Sequence, residues 1–439
     1  MTNQSLIRQD VDISIIGGGM VGASLALLLS SCKCGWRIQI VDAQPMQTTQ
    51  SIDGLESYFD ARSTALSQSS REIFEILGLW ENLSPKLTEI SEVHVSDKGY
   101  PGSARLCAEE QNLPALGYVV ENRWISSALS EALIEAEDIE IVDSAKIAEL
   151  KAVKGGMKFS VSTAGVGKSR EVNSKLLVIA DGAKSETRNM LGIDFTVKDY
   201  GQVAIVANVS LSQDHAGIAY ERFSDSGPIA MLPLEPIDGD YRASLVWTVS
   251  LIQAEKLLSE SEDAFLKELQ LCFGYRLGKL QRIGTRYSFP VRLVTSNEQV
   301  RSNVVVVGNA AHSLHPVAGQ GFNLALRDVA MLANELAKAA VEGSSSLGEY
   351  SVLERYLDNQ KLDQERTILL SDLLPRTFGN RALPIVLARN IGLLALDVRP
   401  LFRRNFTQLG MGLQTRGHEL AKFRPLDSLV FDTGIRSDG

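Results

Sequence analysis

The residues whose spacing points to chemistry lie in glycine-rich stretches far apart in the chain. Gly17, Gly19 and Gly22 within GGGMVG have the GxGxxG spacing, and Asp42 follows. In such a motif the first glycine permits a tight turn, the second lets backbone approach a pyrophosphate, and the third lets helix pack on strand. An acid about twenty positions on hydrogen-bonds a ribose 2′-hydroxyl. The late stretch runs Gly308, Asn309, Ala310, Ala311, His312, Ser313, Leu314, His315, Pro316 and on to Gly319, Gln320, Gly321, Phe322 and Asn323. A loop of this composition at a helix entrance offers backbone N–H groups and a positive dipole end to a pyrophosphate or to the carbonyl edge of a flavin ring. His312 and His315, beside Pro316, are the candidates there for a proton relay; the plainer reading is two loop histidines bonded to backbone.

Each stretch needs a strand and a helix to position it. Asp12 to Ile16 read as a short buried strand and Ala23 to Leu29 as an apolar helix, with a second strand from Arg37 to Val41 ending at Asp42. That order of strand, glycines, helix, strand and acid predicts a dinucleotide site. Val304 to Val307 read as another buried strand feeding a helix that carries Leu324, Leu326, Val329 and Leu332. Between them, Lys175 to Ala180 form a strand ending in Asp181, Gly182, Ala183, Lys184, Ser185, Glu186, Thr187 and Arg188, a DGxxSxxR turn in which the aspartate caps a helix and orients Arg188. Arg62 is placed at the entrance of a helix through Ile73 and Phe74, either contacting a phosphate or the flavin-side substrate channel, or simply solvated.

From Tyr200 to Pro290 the pattern becomes strand-like, with one helix expected near 261–273. This predicts a mostly antiparallel sheet inserted in the dinucleotide fold, with Tyr220, Glu221, Arg222 and Phe223 either lining the resulting cleft or packing in its core. His94, on an expected edge strand from Val93 to Asp97, reads as structural. The end of the chain reads as helical, with Arg381, Arg389, Arg399, Arg403 and Arg404 near an apolar face of Leu387, Ile391 and Leu394. Such a segment either rests on an anionic membrane or partner protein, or packs within the molecule.

Composition narrows the class. The formal charge of −9, with 53 acidic against 44 basic residues, argues against a nucleic-acid partner. The four cysteines, Cys32, Cys34, Cys107 and Cys272, have neither CxxC spacing nor a paired framework, which favours a reducing cytosolic setting and no metal site. Uncharged stretches at Ile13–Cys32 and Ser302–Leu326 are broken by glycines and polar side chains, so neither reads as a membrane span, and the first reads as strand and helix rather than a signal peptide.

GGGMVG early, DGAKSETR in the middle and GNAAHSLHPVAGQGFN late, in that order, resemble the FAD-dependent aromatic hydroxylases of the p-hydroxybenzoate hydroxylase type. VHVSDKGYPG, YERFSDSGPIAMLP and FGYRLGKL are similar to the ubiquinone-pathway members of that group, over roughly residues 10 to 410. The resemblance implies an α/β chain, α+β overall, with a Rossmann-like FAD-binding domain at 10–87, 119–195 and 285–345. It implies an inserted, mostly antiparallel β-sheet substrate domain at 88–118 and 196–284 and a C-terminal helical region at 346–439. It assigns FAD pyrophosphate to Gly17, Gly19 and Gly22, and adenosine ribose to Asp42. Asp181, Gly182 and Arg188 would support FAD and the path of the NAD(P)H donor. Gly308 and Asn309 would meet pyrophosphate and ribityl chain, and the 316–323 loop, with Gly319, Gln320, Gly321 and Asn323, would pass the flavin ring. Asn309 departs from the aspartate of most of the wider group. The implied reaction is hydroxylation of a polyprenylated methoxyphenol with O2 through a flavin C4a-hydroperoxide, in the cytosol at the inner-membrane surface or within a ubiquinone-biosynthesis complex. A sibling hydroxylase acting at another ring carbon and a flavin-binding assembly subunit are the alternatives.

Overall fold

A computed structural model of the chain describes residues 10–46, 62–163, 169–314, 319–343 and 346–379, with 386, 389–390, 392–395, 403–404 and 407 beyond them. The expected positions His315, Pro316, Arg381, Leu387, Ile391 and Arg399 lie outside the described residues.

The chain opens with β1 (Asp10–Ile16), α1 (Met20–Ser31) and β2 (Ile38–Val41), then β3 (Ser63–Ser67), α2 (Gln68–Ile76), β4 (Thr88–Ile90), β5 (Glu92–Asp97), β6 (Ser103–Cys107), β7 (Gly117–Glu121) and α3 (Asn122–Glu135). It continues through β8 (Ile139–Val142), β9 (Ala145–Val153), β10 (Gly156–Thr163), β11 (Arg170–Ile179), α4 (Glu186–Met190), β12 (Phe195–Leu211), β13 (Ile218–Ser224), β14 (Gly227–Ile237) and β15 (Asp240–Ser250). After them come α5 (Leu251–Ser259), α6 (Glu262–Phe273), β16 (Leu280–Ile283), β17 (Tyr287–Ser296), β18 (Val300–Arg301), β19 (Val304–Val306), β20 (His312–Ser313), α7 (Gln320–Val341) and α8 (Tyr350–Gly379).

Three sheets organise these elements. The first has the order β18-β19-β11-β1-β2-β8, with β10 and β9 attached beside β11, and its central neighbours β19, β11, β1, β2 and β8 run parallel. Parallel strands are covered on both faces, and both are buried here, Ile13, Ile15, Ile38, Ile40, Val178 and Val305 on one and Val41, Leu177, Ile179, Val304 and Val306 on the other. α1, α3 and α7 pack on one face, and their leucines join those strands in one core. This is the Rossmann-like layer. A small sheet, β3-β7-β4, lies beside it.

The nine-stranded sheet has the order β20-β17-β12-β15-β14-β13-β5-β6, with β16 on β12, and is antiparallel except where β13 runs parallel to β5. Alternation gives it two unlike faces. On one, Ile205, Ala207, Met231, Leu245 and Trp247 meet α5 and α6 through Leu257, Phe265, Leu269 and Phe273. On the other, a row in direct register crosses the sheet as Val95, Glu221, Ala230, Val246, Val206 and Tyr287. None of these six is fully buried.

Four expectations change. Two helices replace the single one near 261–273, because Ser250 and Ser261 each cap a separate start. β5 is an interior strand, paired on both sides, and β6 takes the edge. β17 and β20 extend the large sheet from the late part of the chain. Arg62 precedes a strand, β3, rather than a helix. No helix among the described residues is long and apolar enough to cross a membrane.

Candidate functional site

At the carboxyl ends of β1, β2 and β11 lies a cleft of about 700 Å³, lined by Gly17, Gly19, Met20, Asp42, Asp181, Gly182, Asn309 and Phe322 among others. Gly17 has φ +107, and a Cβ there would stand 2.5 Å from the carbonyl oxygen of Ala180. At Gly22 a Cβ would come within 1.9 Å of the Gly17 carbonyl oxygen, so only glycine lets α1 start this close to the strand. Gly19 has open space where a Cβ would be, and it caps α1 with no side-chain hydrogen bond. The first-turn amides of α1 are therefore left without a side-chain cap, as an anion-binding helix end requires. Asp42 Oδ2 accepts the Gly18 N–H at 2.5 Å and Oδ1 accepts the Gln44 N–H at 2.7 Å, which fixes the carboxylate at the cleft edge.

The three motifs meet each other. Gly308, at φ +62, turns the backbone after β19 so closely under α1 that a Cβ would lie 3.1 Å from Val21. Its neighbour Asn309 is exposed into the cleft. Asp181 Oδ2 accepts the Thr187 N–H at 3.1 Å and Ser185 Oγ accepts the Arg188 N–H at 3.0 Å, so serine, with the aspartate beside it, caps α4. Asp181 Oδ1 is buried beside the cleft with no partner among the described residues. An unsatisfied acceptor of this kind, in a wall of open backbone amides, suits a ligand rich in hydroxyls and phosphates.

Other expected site residues prove to hold the wall rather than form it. Arg188 is 1% exposed; its Nη1 donates to the Ala310 carbonyl at 2.6 Å and its guanidinium stacks 4.1 Å from the Phe195 ring centroid. It clamps the Gly308 turn from behind, outside the cleft lining. Asn323, also buried, accepts from the Ser67 N–H and the Ser70 hydroxyl and donates to the carbonyls of Ala65 and Gly319. All its polar capacity is used in tying the start of α7 to β3 and α2, so it too is a positioning residue. Gly319, Gln320 and Gly321 stand at that helix start, outside the lining of the cleft. His312 is 1% exposed and its Nε2 lies 2.5 Å from Asp328 Oδ2, whose other oxygen accepts from Gln364. This buried network places His312 away from solvent and from the cleft lining. Arg62 is exposed, with its guanidinium 5.6 Å from the Phe289 ring of β17.

On β13 alternation divides the expected substrate residues. Tyr220 packs edge-on against Phe273, and Arg222 donates to the Cys272 carbonyl and the Ser96 hydroxyl, both on the α6 side. Phe223, with Glu221, faces the other way. Tyr220 and Arg222 therefore do not line the face toward the cofactor layer. His94 stacks on Tyr220 at 5.6 Å; burial first, then the charges of Arg276, Arg105 and Arg222, lower its pKa to about 4, so it stays neutral at physiological pH. Lys146 and Met190, missed by motif reading, line the cleft because β9 and α4 border it, and so does Lys184 of the DGxxSxxR turn, to which motif reading assigns no role. No spacing rule marks Lys146 or Met190.

Residues 10–361 match the family described as FAD binding domain. Ubiquinone hydroxylase UbiL of Rhodospirillum rubrum is 32% identical over 93% of this chain and 91% of its own length. The 3-demethoxyubiquinol 3-hydroxylase of Escherichia coli is 29% identical over 93% of this chain and all of its own. Among solved structures, p-nitrophenol 4-monooxygenase PnpA from Pseudomonas putida superposes with a TM-score of 0.72 at 17% identity, over 91% of this chain and 97% of that one. The chain belongs to the FAD-binding-domain family, as one of its flavin-dependent monooxygenases.

Proposed function

We propose that this chain hydroxylates a polyprenylated methoxyphenol in ubiquinone biosynthesis, with FAD in the cleft, NAD(P)H as donor and O2 as oxidant. The observation that carries the reading is the mutual contact of the three motifs around one cleft, Gly17 on Ala180, Gly308 on Val21 and Arg188 on Ala310. FAD, when bound, supplies hydride acceptance and oxygen activation. The chain supplies the rest. The amides of the α1 first turn receive the pyrophosphate, Asp42 the adenosine ribose, and Asp181 with Asn309 the hydroxyls between pyrophosphate and flavin. The stretch from Gly319 into α7 borders the flavin ring, held by Asn323. The discontinuous domain division belongs to this reading, except that β17 and β20, expected in the FAD-binding domain, join the nine-stranded sheet that provides the substrate wall.

The names of the two relatives support a ubiquinone-pathway phenol, and the VHVSDKGYPG and YERFSDSGPIAMLP phrases favour the 2-octaprenyl-6-methoxyphenol hydroxylase specificity. An apolar prenyl tail is drawn from a bilayer or a carrier, so the reading places the protein in the cytosol at a membrane surface. Incubating the FAD-loaded protein with NAD(P)H, labelled dioxygen and a short-chain 2-prenyl-6-methoxyphenol tests it. One labelled oxygen in the ring is the expected product. NAD(P)H oxidation that yields only peroxide with every phenol offered would refute the hydroxylase reading and leave a flavin-binding assembly subunit.

A further inference from the structure

We propose that Glu221 is the catalytic base of the hydroxylation, accepting the phenol proton of the bound ring. This rests on the hydroxylase reading above. The geometry begins with the row Val95, Glu221, Ala230, Val246, Val206 and Tyr287. Glu221 is its one ionisable carboxylate, half-buried between Val95 and Ala230. The same face carries Phe289, two residues from Tyr287, beneath Arg62 of the residue run that enters β3. β3 in turn holds Gly319 and Asn323 through Ala65, and Ala65 packs against the cluster that contains Ala219, two residues from Glu221, so this face looks toward the start of α7 and the cofactor layer. An apolar wall with one carboxylate suits a hydrophobic phenol.

Glu221 makes no hydrogen bond or ion pair among the described residues, whereas three carboxylates of neighbouring elements are already engaged. Asp97 on β5 is held by Arg389 and Asn390, Asp372 on α8 by Lys198 and Tyr200, and Glu121 at the end of β7 by Arg242 and Arg123. Burial alone raises the Glu221 carboxyl to about 7, with no neighbouring charge contributing. A base with that value is poised to take a proton near neutrality. In the step, the phenol O–H bond breaks, the proton goes to a Glu221 oxygen and the electron pair stays on the ring oxygen, enriching the ring carbons that attack oxygen. After oxygen transfer the same proton returns to the ring oxygen while the ring C–H proton leaves to solvent. The oxidant is dioxygen, reduced at the expense of NAD(P)H.

The test compares wild type with Glu221→Gln, Glu221→Asp and Glu221→Leu, all FAD-loaded. Equilibrium binding is measured for a short-chain 2-prenyl-6-methoxyphenol and for its O-methyl ether. Wild type prefers the phenol by tenfold or more, as a hydrogen bond to a charged acceptor implies, and the leucine variant loses that preference. Hydroxylation by the glutamine variant falls about a hundredfold at neutral pH and recovers as rising pH ionises the phenol itself, while the aspartate variant keeps part of the rate. Melting temperature and flavin content check that the sheet is intact; should glutamine disturb it, the aspartate and leucine pair decides. Unchanged phenol preference and unchanged rates in folded variants would overturn the role of Glu221 and leave the hydroxylase reading standing. A wild type that neither binds nor hydroxylates any phenol would overturn both.

Discussion

At the scale of single residues, the polar groups divide into those that face ligand space and those that hold its walls. Arg188 belongs to the second kind, since its buried guanidinium is the partner of the Ala310 carbonyl and stacks on Phe195. Arg188→Ala leaves that carbonyl unsatisfied and lowers stability by about 1–3 kcal/mol, measured by denaturant unfolding of the flavin-free protein. Arg188→Lys recovers little, because an ammonium lacks the planar stacking surface. A variant whose flavin affinity drops with no change in stability would instead place Arg188 in the ligand site. Glu221 gives a pH prediction with a definite sign. Its carboxyl is raised in the fold from 4.5 to about 7 by burial, so the native state binds the extra proton in that interval. Stability from this group is complete below the unfolded value and is lost as pH rises through 7. Wild type and Glu221→Gln should melt alike near pH 4.5, with the glutamine variant becoming the more stable toward pH 8. A difference of opposite slope would contradict the burial of that carboxyl.

The strand–glycine–helix units were the most legible elements, because their chemistry is a backbone requirement that only glycine meets. Gly22→Ala places a methyl group against the Gly17 carbonyl; the overpacking cost is about 1–3 kcal/mol, read as a lowered melting temperature together with loss of bound FAD. Wild-type flavin content in that variant would show that the turn relaxes freely. The substrate sheet was less legible, and β13 shows why. In Ile218–Ser224 both alternating sets mix polar with apolar side chains, Tyr220 with Arg222 on one and Ala219, Glu221 and Phe223 on the other. A period of two cannot say which set faces the core when neither is purely apolar. The answer came from register, with Tyr220 opposite Met231 above Phe273. Asn323 shows the same limit: three of the four partners of its amide, Ser67, Ser70 and Ala65, are about 250 positions away, and a motif on one strip of sequence cannot display them.

Across the whole molecule, two of the five C-terminal arginines pack within the chain, while Arg404 is exposed. Arg389 Nη2 lies 2.7 Å from Asp97 Oδ2, both side chains buried, and Arg403 makes a two-pronged contact with Glu110. These two pin the late chain to β5 and the turn after β6, so neither is free for anionic lipid. Any membrane or partner contact must use other groups. Arg389→Ala strands a buried carboxylate whose pKa is already raised by burial, and costs about 3–5 kcal/mol by unfolding. If that variant stays as stable as wild type but leaves anionic liposomes, the arginine is a surface contact after all.

The central claim is that one cleft holds a flavin whose electrons serve a phenol on the facing sheet. Anaerobic stopped-flow reduction of the FAD-loaded protein by NAD(P)H, with and without a short-chain 2-prenyl-6-methoxyphenol, followed by readmission of oxygen, tests it most directly. The account predicts flavin bands that bleach faster with the phenol present and a hydroxylated ring once oxygen returns. Protein that takes up no flavin on reconstitution with FAD, or flavin whose reduction and reoxidation ignore every phenol offered, would contradict it.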